Sequence, residues 1–150
     1  MAPSTELLIG DAGGEHVLIR ALSRKHPGLF DYWDANWIAC EIEIAVGGFR
    51  GVFRADLRSE EFLAFSRTMD DLAVALDSVA TFSTMEQQLS LLLAGDGRGR
   101  VRVEGSASDN AGSGNRLHFS FEIDQTYLSQ IQRYLDVILT AYPVVGPENR

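Results

Sequence analysis

Glu41 and Glu43 are the residues of this 150-residue chain most suggestive of acid–base chemistry. They stand two apart in IACEIEIAV, so on a strand their carboxylates share one face about 6.5 Å apart. A glycosidase can divide acid and nucleophile roles over such a distance. Any two alternate strand glutamates meet that condition, however, and no sugar-binding feature accompanies these. His16, His26 and His118 are not spaced with one another, or with Cys40, as a zinc site requires. His26 falls in a turn, and the other two lie on polar strand faces. Asp109, Asn110, Gly112 and Asn115 resemble a calcium loop in composition but lack its distant bidentate Glu. Asp96-Gly97 reads as a hairpin turn. There is no Gly-rich phosphate loop between strand and helix and no nucleophile elbow. Arg98, Arg100 and Arg102 share a strand face, with Arg116 near. A nucleic-acid stripe competes there with cross-strand pairing to Glu104, Glu122 and Asp124. A net charge of −8 decides for the pairing. No catalytic, metal or cofactor constellation emerges, and the chain is expected not to be an enzyme.

Leu29 to Trp37, LFDYWDANW, is the densest aromatic stretch. Phe30, Tyr32, Trp33 and Trp37 alternate with Asp31 and Asp34. Trp and Tyr anchor protein interfaces, and carboxylates beside them select a cationic partner. The competing reading is a loop whose aromatics plug one end of the core. Trp37 is assigned to that plug because it borders a strand. Phe30, Asp31, Tyr32, Trp33 and Asp34 are the candidate partner-binding residues.

The elements that must position this patch are legible from periodicity. From Asn36 to Leu57 the chain reads as a long β-hairpin. Ile38, Cys40, Ile42, Ile44 and Val46 alternate with polar residues, Gly47-Gly48 turns the chain, and Phe49, Phe53, Ala55 and Leu57 return on one face. Glu6–Ile9 and His16–Leu22 form a hairpin before it, ended by Pro27-Gly28. Ser59 is expected to cap a helix whose apolar stripe is Phe62, Phe65, Met69, Leu72, Ala73 and Leu76. Short strands follow at Val79–Phe82, Gln88–Ala94 and Arg100–Ala107. Asp109–Asn115 is expected to be a flexible loop, and Leu117–Ile123 a last strand. Asp124 or Thr126 then caps a closing helix with Leu128, Ile131, Leu135, Ile138 and Tyr142 on its apolar face. The fold class is α+β, a mostly antiparallel sheet of about seven to eight strands. Two amphipathic helices pack on one face, in strands–helix–strands–helix order.

The length suits a single domain spanning residues 1–150. A composition of 45% hydrophobic and 23% charged residues is that of an ordinary folded protein. The negative charge repels phosphate backbones and favours basic partners. Cys40 is the sole cysteine, so no disulfide forms within the chain. MAPSTELLIG lacks the layout of a signal peptide, and no apolar run reaches a membrane span. A cytoplasmic location is expected.

Three segments resemble a known family: Trp33–Leu57, Gln88–Asp109 and Gly112–Leu128. Their motifs are Asp34-Ala35-Asn36-Trp37, Gly47-Gly48-Phe49, Gly112-Ser113-Gly114-Asn115 and Asp124-Gln125-Thr126-Tyr127-Leu128. Together they resemble the small bacterial immunity proteins of the WapI type. The resemblance implies protection against a secreted polymorphic toxin by tight, non-enzymatic binding to its toxic domain, with no cofactor. Such toxin domains are often basic, and an acidic inhibitor is steered onto them by long-range charge. Two other readings stand beside it. One is a scaffolding domain with a different protein partner. The other is a small-ligand domain with a deep pocket holding a strongly shifted titratable group.

Overall fold

Two hairpins open the chain, and each follows from alternation closed by a turn. The computed structural model describes residues 5–147. In it β1 (Glu6–Gly10) pairs antiparallel with β2 (His16–Arg24), and β2 with β3 (Trp37–Val46). Between β2 and β3 lies a one-turn helix, α1 (Tyr32–Ala35), inside the aromatic stretch. The Gly47-Gly48 turn sets Val46 opposite Phe49, and Gly47 takes φ +54°, as the first central residue of a II′ turn requires. Counting outward along β3 and β4 (Phe49–Arg58) from that turn brings Trp37 opposite Arg58.

Helix α2 (Ser59–Val74) follows directly. Arg58, not Ser59, holds the N-cap position. The orphan Arg58 N–H is satisfied by Glu61, whose Oε1 accepts it at 2.8 Å. Phe62, Phe65, Met69 and Leu72 bury one face of α2 completely, each burial contributing about 1.5–3 kcal/mol. The second half repeats the plan: β5 (Val79–Ser83), β6 (Leu89–Gly95), β7 (Arg100–Asn110) and β8 (Ser113–Asp124). A 3₁₀ turn, Gln125–Tyr127, then leads into α3 (Leu128–Ala141). Asp124 starts that turn by accepting the Thr126 N–H at 2.9 Å.

All strand pairings are antiparallel, and the α+β class, eight strands and helix order agree with the sequence reading. The strands divide into two four-stranded sheets, β1-β2-β3-β4 and β5-β6-β7-β8, because α2 intervenes and β4 and β5 do not pair. One continuous apolar cluster joins both sheets to α2 and α3. Helix α2 packs against β5 and α3, and α3 packs against β1.

Asp109–Asn115 is not a flexible loop. The two strands run on to a tight Ala111-Gly112 turn, with Gly112 at φ +74°. Asp109 clamps it by accepting the Asn115 N–H at 2.9 Å and Asn115 Nδ2 at 3.2 Å. Its Gly, Ser and Asn residues look like a loop in isolation, and the hairpin overrides that preference.

Candidate functional site

Most of the side chains considered for chemistry are engaged in the fold. On the outer face of the first sheet, Glu41 pairs with Arg20 at 2.8 Å. Glu43 receives His16 Nε2 at 2.7 Å, and that hydrogen bond is the main cause holding its carboxyl below the ordinary range. His16 is buried, and its Nδ1 lies 2.9 Å from Gly14 O and 3.1 Å from Asp11 O. Arg100 pairs with Glu122 and Arg102 with Glu104 on a solvated face. Burial pushes the Cys40 thiol up to about 12, so it is inert at neutral pH. Among the described residues no three His, Cys, Asp or Glu side chains converge as metal ligands. A groove of 290 Å³ opens between the β3–β4 and β7–β8 hairpin tips, lined by Ile44, Phe49, Phe53, Ala107 and Leu117. Neither Cys40 nor Glu61, the two strongly shifted groups, lines it.

The aromatic stretch is different, because part of it is exposed on a turn whose backbone is held by hydrogen bonds. Asp31 is the N-cap of α1, its Oδ2 accepting the Asp34 N–H at 2.9 Å. The turn throws Phe30 and Trp33 outward, 79% and 49% exposed, with Asp34 exposed beside them. Tyr32 turns inward, is buried, and meets Trp33 edge to face at 5.1 Å. Of the five candidate residues, then, Phe30, Trp33 and Asp34 form an outer surface, while Asp31 and Tyr32 hold it.

Beneath them lies a residue that sequence reasoning missed. Arg58 is only 2% exposed, and its guanidinium carbon sits 5.3, 5.3 and 5.2 Å from the ring centres of Tyr32, Trp33 and Trp37. A desolvated cation over one ring contributes about 2 kcal/mol, and here three rings surround it. Its Nη2 donates to Tyr32 O at 2.7 Å. Its Nε lies 2.8 Å from Glu60 Oε1, an ion pair by distance that lacks hydrogen-bond alignment. Trp37 starts β3, half-buried, but its ring packs on Arg58 and not on the main apolar cluster, so it does not act as the expected core plug. The signal that could have found Arg58 is the hairpin register, which sets it across from Trp37.

Glu61 closes the underside. Its Oε1 accepts from Arg58 N and its Oε2 from Met85 N at 2.6 Å, tying α2 to the segment between β5 and β6. Burial pushes its carboxyl up to about 7, against the pull of those two N–H groups. The folded state therefore holds this proton more tightly than the unfolded chain. The corresponding stability is fully present below about 4.5 and is lost as pH rises through 7, with a limiting slope of about 1.4 kcal/mol per pH unit. Urea midpoints measured between pH 5 and 7.5 should fall more steeply for the native protein than for Glu61→Gln. Parallel profiles would show that Glu61 does not titrate in this window.

Comparison with curated proteins gave no significant sequence match. Among solved structures, a chain from the crystal structures of Trypanosoma bruciei MRP1/MRP2 aligns with a TM-score of 0.47 and 8% identity. The alignment covers 95% of this chain and 88% of that one, and so loose a likeness carries no functional inference. The family model described as "Immunity protein WapI-like family" matches residues 7–143, from β1 through the end of α3. The chain belongs to the WapI-like immunity protein family.

Proposed function

We propose that this protein neutralises a cognate basic toxin domain by tight, non-enzymatic binding in the cytoplasm, through the surface formed by Phe30, Trp33 and Asp34. The observation that carries the reading is an exposed aromatic pair beside a carboxylate, held on one turn by a buried, ring-enclosed arginine. Fixing such anchors before association lowers the entropy cost of binding, and central aromatics supply most of an interface's energy. The −8 charge supports it by speeding encounter with a basic partner. Family membership supplies the immunity role, and binding alone performs it without an active site.

Asp34→Lys combined with Asp31→Asn tests the surface, since Asn preserves the cap on α1. Affinity for a cognate toxin domain is expected to fall at least tenfold, about 1.4 kcal/mol, with an unchanged urea midpoint. Undiminished affinity would remove this surface from consideration. If the partner binds through the patch but is harmless when expressed alone, a scaffolding role with a non-toxic partner replaces the toxin reading.

A further inference from the structure

We infer that residues Pro143–Gly146, which follow α3, act as a strap that sets the shape of the Phe30–Asp34 surface. The recognition face is then built from two stretches more than 100 residues apart, with Asn36 and Val145, which bond each other, separated by 109 positions. This rests on the binding role proposed above and adds a positioning role for Asn36, Arg24 and Gly146.

A helix of one turn does not hold its own shape, because nucleation costs more than one hydrogen bond returns. In α1 the stabilisation comes from outside. Tyr32 O accepts from Asn36 Nδ2 at 2.8 Å and from Arg58 Nη2 at 2.7 Å, and Ala35 O accepts from Arg24 Nη1 at 2.8 Å. Two of those three side chains also hold the strap. The fully buried Asn36 amide accepts the Val145 N–H at 2.9 Å and donates to Val145 O at 3.0 Å, pairing with the strap as a strand would. Arg24 Nη2 donates to Pro143 O at 2.5 Å.

Gly146 completes the contact. It takes φ +74°, and a Cβ placed there would lie 2.5 Å from Tyr32 N and 2.8 Å from Phe30 O. The strap thus presses backbone to backbone on the turn that carries Phe30 and Trp33. Any side chain at position 146 drives the two apart. Losing the strap leaves Asn36 without both Val145 partners and removes the lateral support of Phe30.

Gly146→Val blocks the approach and Val145→Pro deletes the donor to Asn36. In both variants of the full chain, amide exchange at Asp34 and Ala35 is expected to quicken at least tenfold, while the amides of β3 keep their protection. Affinity for a cognate toxin domain should fall at least tenfold, while urea unfolding stays cooperative with only a modest fall in its midpoint. Unaltered exchange at Asp34 and Ala35, or acceleration spread evenly through β3, overturns the strap. So does full affinity in a variant whose α1 is loosened, provided Asp34→Lys still weakens binding. If Asp34→Lys is also without effect, it is the binding surface itself that is wrong.

Discussion

Arg58→Ala is expected to destabilise the fold by about 3–5 kcal/mol, the range for removing one partner of a buried charge cluster. The loss has identifiable parts. Tyr32 O keeps Asn36 but loses a charge-assisted donor. Tyr32, Trp33 and Trp37 lose the cation that joins them. Glu60, half-buried, loses its counter-charge. Equilibrium urea unfolding gives the magnitude. Near-UV circular dichroism should change with it, because both tryptophans of the chain line this cage. Arg58→Lys should recover less than half, since an ammonium cannot stack as a plane or present the same fork of donors. A loss below about 1 kcal/mol for alanine would mean that the rings do not depend on the cation.

Phe82→Ala is expected to cost about 3–5 kcal/mol as well, by a different route. Phe82 on β5 is fully buried and packs on two rings of α2, Phe62 at 5.4 Å and Phe65 at 5.3 Å. This trio anchors the second sheet to the helix that follows the first, so its removal opens a cavity where the two halves meet. Phe82→Leu should cost less, because most of the volume is kept. In a double-mutant cycle, Phe82→Ala and Phe65→Ala should fall short of additivity, since each removes the same contact. Additive losses measured by urea unfolding would place the two rings in separate environments.

The periodic parts of this molecule could be read from the chain, and the non-periodic parts could not. Alternation marked β3, β4 and β8, and the three-four spacing from Phe62 to Leu72 marked α2, because burial on one face leaves that imprint. The patch was visible as a cluster of aromatics and aspartates. Its division into outward Phe30, Trp33 and Asp34 and inward Tyr32 depends on one helical turn too short to leave a pattern. No positioning role was legible for Arg58, Asn36 or Arg24, since a charged or amide residue beside a strand end ordinarily meets water. The burial of Arg58 and Asn36, and the partial burial of Arg24, follow from tertiary partners: three rings for Arg58, and the strap for Asn36 and Arg24. The split into two sheets was hidden for a related reason. Alternation tells which face of a strand is buried, not which strand lies beside it.

The packing of α3 against β1 has a consequence for synthesis on the ribosome. The hairpins β1–β2 and β3–β4 are local and can pair as soon as they emerge. Leu7 and Ile9 nonetheless lack their final cover until Leu128–Ala141 has cleared the exit tunnel. Until then the nascent chain displays a paired but partly bare sheet, the kind of exposed apolar surface that chaperones shield. Internal deletions within α3 should therefore prove more damaging to folding than deletions of equal length in the β7–β8 turn.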